Sequence, residues 1–217
     1  LDAYYLSVID YERIQNVKAW ILIAVSFVVG CIAQAALAQE KVKLTYKSDT
    51  VLPITFKGCE GVESQGSCTV IERSLVLTAA HVVGGSLAEI KFRSEVVRGK
   101  VIALDLFHDR SLVRLEKELD VVPRKFRPTD LSEGEAIFAI GYGRGFGYTP
   151  GRAASGKLRG RSVPGDSGGL IADSKGEIVG IVQGYASDGE LYGHGRQSIL
   201  QWVQENKGND PIDLGNR

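Results

Sequence analysis

The chain has no methionine, three cysteines, three histidines, six prolines and no net charge, with 26 Lys+Arg set against 26 Asp+Glu. That balance removes any electrostatic reason to expect nucleic acid or an anionic membrane surface as partner. No cluster of His, Cys and carboxylates has ligand spacing, so a metal mechanism is not expected, nor is any cofactor. With no methionine and Leu1 as first residue, the expected start of translation is a non-standard codon near Val17, which makes residues 1–16 an over-read of the frame. Repeats and low-complexity tracts are absent too. At 44% hydrophobic and 24% charged residues, the composition excludes a disordered chain. Against the few prolines stand 26 glycines without a period, the mark of a loop-rich β protein whose turns need positive φ.

Charge is also missing locally. From Ala19 to Ala38 no residue is charged, and the stretch closes on Ala36-Leu37-Ala38, the small-x-small pattern of a signal-peptidase site. Export with cleavage after Ala38 is expected, to the periplasm or the medium. Two alternatives stay open: a lipid on Cys31, since Val28-Val29-Gly30-Cys31 loosely resembles a lipobox, or an uncleaved membrane anchor over 19–38. Beyond it remain Cys59 and Cys68. In an exported chain an even pair invites a disulfide, here between neighbouring strands joined by the turn-rich Glu60–Gly66; the alternative is two separate buried thiols.

Apolar, β-branched runs at Val51–Phe56, Thr69–Ile71, Leu75–Thr78, Glu95–Leu104, Ser111–Leu115, Ala136–Ile140, Leu170–Ala172 and Ile178–Gln183 predict an almost all-β sandwich or barrel. Residues 117–135 are polar and read as a crossover between halves. Ile199, Leu200 and Val203 recur at helical spacing and predict one helix over Gln197–Gln204. The tail over 209–217 reads as mobile.

Three places carry candidate chemistry. In Thr78-Ala79-Ala80-His81 a β-branched run ends in two small residues and an imidazole, although a lone His is more often structural. Asp109 opens the alternating run Arg110–Leu115; it is also an ordinary turn residue, and Asp105 is a rival acid. In Gly165-Asp166-Ser167-Gly168-Gly169, glycines on both sides of a serine permit a tight turn and close approach of a substrate carbonyl; a solvent turn has the same composition.

The order His, Asp, Ser within TAAH, D-x-x-L-V-x-L and GDSGG resembles the chymotrypsin-like (trypsin-fold) serine proteases, particularly the short bacterial exported ones. The resemblance runs from about residue 50 to 206. It implies two six-stranded antiparallel β-barrels with the active site between them and a C-terminal helix. The halves are then 39–117, with His81 and Asp109, and 136–208, with Ser167 and the helix, joined by the crossover 118–135. It further implies Ser167 as nucleophile, His81 as general base, Asp109 as the acid that orients it, and the N–H groups of Gly165 and Ser167 as oxyanion hole. Asp166 would hold the loop in shape. No Ile-Val-Gly-Gly occurs to pair with Asp166 as in zymogen-type relatives, so that carboxylate needs another donor.

By the same resemblance Arg161 and Ser162 sit at the base of the specificity pocket, with Gln183, Gly184, Tyr185 and His194 around it. A cation at the base favours an acidic residue before the scissile bond and disfavours a basic one; if Arg161 faces solvent, a small neutral residue is expected instead. Protein or peptide substrates and a monomer are expected. No PDZ-like extension is recognisable after residue 206, which speaks against a multi-domain quality-control protease. Two other functions stay open: an exported esterase on the same fold, and an inert trypsin-fold binding module.

Overall fold

Consecutive runs of β-branched residues pair through short turns, among them the two-residue Arg73-Ser74 and Arg93-Ser94. The computed structural model describes residues 49–58, 62–143, 145–154, 157–159, 162–185, 190–192 and 196–214. The apolar stretch 19–38 with Cys31, as well as Cys59, Arg161 and His194, lies outside them.

Strands β1 (Val51–Lys57), β2 (Glu63–Glu72), β3 (Leu75–Thr78), β4 (Leu87–Phe92), β5 (Glu95–Asp105) and β6 (Arg110–Leu115) close into an antiparallel barrel in the order β1-β2-β3-β6-β5-β4. Its interior is filled by Leu52, Ile54, Phe56, Val70, Ile90 and Val101, each at most 3% exposed. Strand β4 was absent from the expected runs. Its alternation buries Ala88, Ile90 and Phe92 and turns Leu87 and Lys91 outward, a period of two carried by only three inward side chains.

The second half comprises β7 (Ala136–Gly141), β8 (Gly147–Ala154), β9 (Lys157–Arg159), β10 (Leu170–Asp173), β11 (Ile178–Ile181), β12 (Gly184–Tyr185) and β13 (Glu190–Tyr192). They form a seven-stranded sheet in the order β11-β10-β7-β8-β9-β13-β12, in the place of the expected second barrel. The two end strands β11 and β12 follow one another in sequence, separated by Val182 and Gln183 alone, so the sheet must curl back on itself. Among the described residues no β11–β12 ladder closes it, because Val182 spends its backbone groups on the loop before β10, donating to Gly169 O at 2.9 Å and accepting from Gly168 N at 2.6 Å.

The crossover is bound at both ends. Leu119 is fully buried in the barrel core, Leu119 N–H donates to Arg73 O, and Arg127 N–H donates to Ile178 O on β11. The Arg127 guanidinium bridges Glu135 and the buried Asp173. Helix α1 (Arg196–Asn206) buries Ile199 and Val203. Of the tail expected to be mobile, residues 209–214 are described: Ile212 N–H donates to Val101 O at 2.8 Å, and Leu214 packs against the barrel core.

The disulfide expectation is corrected as well. Cys68 is a free thiol, fully buried, and that burial pushes its pKa far up. Strand β2 begins at Glu63, opposite Lys57, and Cys68 lies opposite Leu52. Cys68 is therefore expected to resist thiol reagents in the native protein and to react fully once guanidinium unfolds it without reductant, as read by mass-mapped alkylation. A Cys68 that stays blocked until reductant is added contradicts the register.

Candidate active site

Residues from three segments meet at the seam between the barrel and the second sheet. The first is a single 3-10 turn, Ala80–Val82, directly after β3. Ala79 and Ala80 are buried beneath it, and their small side chains let the turn sit on the barrel end while the His81 ring reaches solvent. The second is the β5–β6 connection, where Asp109 stands at φ +47°. The third is the loop 162–169 before β10.

His81 Nδ1 lies 2.8 Å from Asp109 Oδ2 and 3.0 Å from Oδ1, and His81 N–H donates to Oδ1 at 2.9 Å. An ionised carboxylate only accepts, so Nδ1 carries the proton and Nε2 is left as the basic nitrogen. The hydrogen bond that His81 donates to Asp109 raises the His81 pKa; partial burial opposes it, and the Asp109 charge adds to the rise.

The loop that carries Ser167 is fixed against the barrel by hydrogen bonds to Ser67. The Ser167 carbonyl accepts from Ser67 N–H at 2.8 Å, and the Ser67 hydroxyl donates to Gly165 O at 2.7 Å while accepting from Tyr142 N–H at 2.9 Å. Gly168 has φ +82°, and a Cβ there would stand 2.2 Å from Ser67 O and from Thr78 Oγ1, and 2.7 Å from Ala79 N. Only glycine fits, and its bareness lets the loop touch the end of β3 that carries the histidine turn. Gly165 turns at φ +96°. Among the described residues neither the Gly165 nor the Ser167 N–H donates to a protein acceptor. A cleft of about 330 Å³ opens beside Gly165, between the β1–β2 hairpin residues Ile54 and Gly66 and the second-half residues Tyr142 and Pro164.

Asp166 faces away from the imidazole pair. Its carboxylate accepts from Gly143 N–H at 2.8 Å and Val163 N–H at 2.9 Å, so the donors it needed are backbone groups of the second sheet. Ser162 and Gly184 are half-buried, and Tyr185 lies on β12. Gln183, expected around the specificity pocket, instead sends its side-chain amide to the carbonyls of His108 and Asp109. Asp105, the rival acid, pairs with His108 and Arg110 rather than His81. Sequence reasoning missed Ser67. Its signal was slight, a polar residue between glycine and the apolar Cys68–Ile71 run. Among the described residues no group of three or more His, Cys, Asp and Glu is placed to hold a metal ion.

Residues 66–181 match the family described as trypsin-like peptidase domain. Over 149 residues the chain is 29% identical to a probable periplasmic serine endoprotease, DegP-like, of Hahella chejuensis, covering 59% of this chain and 31% of that protein. Over 139 residues it is 31% identical to the putative serine protease HhoB of Synechocystis, covering 54% and 33%. The chain thus spans about a third of the length of the curated relatives it matches. Among solved structures it superposes on the Rv3671c protease of M. tuberculosis in its active form with a TM-score of 0.73 at 22% identity, covering 83% of this chain and 89% of that one. The serine endoprotease of Yersinia pestis superposes with a TM-score of 0.66 at 16% identity, covering 77% and 65%. At these identities the structural likeness establishes the fold.

Replacing Gly168 by Ala is expected to destabilise the fold by at least about 2 kcal/mol, since backbone strain adds to overlap with Ser67 and Thr78. In a chain of this length that lowers the thermal midpoint by about 4 °C or more. An unchanged midpoint contradicts the close seam.

Proposed function

The chain belongs to the trypsin-like peptidase domain family, and on that premise we propose that it is an exported serine endopeptidase whose triad is His81, Asp109 and Ser167. The observation that carries this reading is the imidazole of His81 gripped by both oxygens of Asp109, on the seam where the Ser167 loop docks. The periplasmic DegP-like relative supports export, in accord with the expected leader over 19–38. Substrates are then proteins or peptides.

In this mechanism Ser167 Oγ attacks the scissile carbonyl while His81 Nε2 takes its proton, because a serine hydroxyl is too weak a nucleophile alone. Asp109 keeps the Nδ1 proton in place and stabilises the imidazolium. The carbonyl oxygen, now an anion, is received by the unsatisfied N–H groups of Gly165 and Ser167, where one donor is worth about 3 kcal/mol of barrier. His81 then protonates the leaving amine, the acyl group stays on Ser167, and water activated by the same base releases it. Asp166 keeps the loop in shape through Gly143 and Val163. Arg161, Ser162, Gly184, Tyr185 and His194 remain the candidates for reading the residue before the scissile bond, with Arg161 favouring an acidic one.

Ser167→Ala is expected to fold, to lose turnover by roughly a million-fold, and to lose stoichiometric labelling by a serine-directed phosphonate. Labelling at another residue, or surviving turnover, overturns the assignment. A wild type that labels yet cleaves simple esters and no peptide anilide is the esterase; one that neither labels nor cleaves is the inert binding module.

Activity is expected to rise with pH. The working base is neutral His81, and its pKa lies above the ordinary value of about 6.5 because Asp109 favours the charged ring. Rate is therefore lost as pH falls through a midpoint above 6.5. An enzyme faster at pH 5 than at pH 8 contradicts a histidine base.

A further inference from the structure

Asp109 holds a left-handed backbone conformation that a residue with a Cβ adopts rarely. The groups that keep it there come from both sides of the turn. The Asp105 carboxylate accepts His108 N–H at 3.0 Å and lies 2.8 Å from His108 Nδ1; it also accepts from Arg110, through Nε and Nη2, each at 3.0 Å. One carboxylate thus binds the residue before Asp109 and the residue after it. Gln183 Nε2 donates to the carbonyls of His108 and Asp109, which are the peptide oxygens on either side of the Asp109 Cα. The Arg110 guanidinium, nearly buried, carries the connection to α1, donating from Nη1 to Ser198 O at 2.7 Å and Ser198 Oγ at 3.0 Å and lying 4.7 Å over the Trp202 ring.

We propose that Asp105 and Gln183, anchored through Arg110 to the C-terminal helix, are positioning residues that hold the Asp109 turn so that its carboxylate meets both His81 N–H groups. The inference rests on the reading of His81 as base and Asp109 as its orienting acid. Its physical basis is geometric. Asp109 must reach two His81 donors at once, at 2.8–3.0 Å, and a turn released to extended φ carries the carboxylate away from both. Displacement of catalytic groups by about 1 Å costs on the order of a hundredfold in rate.

The charges fit that role. Burial pushes the Asp105 carboxyl up, but hydrogen bonds from the His108 N–H, the His108 ring and Arg110 outweigh it and hold the pKa at about 2. Asp105 is thus ionised over the whole range in which His81 works.

The test uses Asp105→Asn, which keeps the shape and removes the charge, and Gln183→Leu, which removes the amide at similar volume, both in the whole chain. Two quantities are read from pH 5 to 9: the second-order rate of Ser167 labelling by a fluorophosphonate, and the downfield proton resonance of His81 Nδ1–H, assigned by its loss in His81→Ala. Thermal midpoints are recorded alongside. Each variant is expected to label about ten- to a hundredfold more slowly, short of the ~10⁴-fold loss from disabling the triad carboxylate itself. The resonance is expected to broaden or move upfield, and the labelling midpoint to fall toward the ordinary histidine value. Wild-type rates, midpoint and resonance in folded variants overturn the proposal, as does a rate loss that only tracks unfolding with the midpoint unmoved. Should one variant fail to fold, the other decides. If wild type shows no Ser167 labelling, the proposed function fails, and the clamp is judged by the resonance alone.

Discussion

Ser67 joins the two β halves at the nucleophile. Its backbone N–H holds the Ser167 carbonyl, its hydroxyl donates to the Gly165 carbonyl, and the same hydroxyl accepts from Tyr142 at the end of β7. A single side chain on the barrel thereby satisfies polar groups from two separate segments of the second sheet. Such groups are expensive to bury unpaired. Gly66 and Gly168 complete the seam by having nothing in the way: a Cβ on either would collide with the opposite half at 2.8 Å or less. The seam is thus polar and closely fitted, and lateral slippage breaks several bonds together. A site built of residues from both sides needs that rigidity.

Around the seam, the charges are arranged in two tiers. The outer pair, His81 and Asp109, keeps partial access to solvent. The inner set of Asp105, His108 and Arg110 is more enclosed and closes on itself and on α1. A buried ion pair is weak evidence for stability, because desolvation offsets much of its attraction. It does fix geometry, since removing either partner strands the other. Ionic pairing here is better understood as a register device for one strained turn than as a source of folding free energy.

A trypsin-type scaffold sets where side chains can meet, and turnover depends on the particular groups placed there. The chain matches only about a third of its curated relatives' length, so what those larger proteins act on or assemble with does not carry over to it. What this chain's own residues contribute is an imidazole whose Nδ1 proton is held by Asp109 and, among the described residues, two backbone N–H groups beside Ser167 without a protein acceptor. Those features are local, and they are the ones that acyl chemistry uses.

The short motifs were legible in the linear chain because each is set by neighbours in sequence. Small residues precede His81, glycines flank Ser167, and β-branched runs mark β1, β3 and β6 with nearly their observed bounds. Strands β4 and β8 were not legible: one has only three inward side chains, and the other runs through Gly-Tyr-Thr-Pro-Gly, whose residues read as turn formers until β7 and β9 pair with them. Pairing register was equally hidden. The Cys59–Cys68 bridge was plausible by sequence spacing alone and failed because β2 starts at Glu63, which sets Cys68 far along the strand. By itself, the sequence determined which residue types were available for the chemistry and in what order. The tertiary structure decided which of them meet: that His81 pairs with Asp109 and not Asp105, that Gln183 serves a backbone turn, and that Ser67 closes the seam. Those choices depend on hydrogen bonds between residues 28 to 98 positions apart, and only a closed sheet fixes such distances.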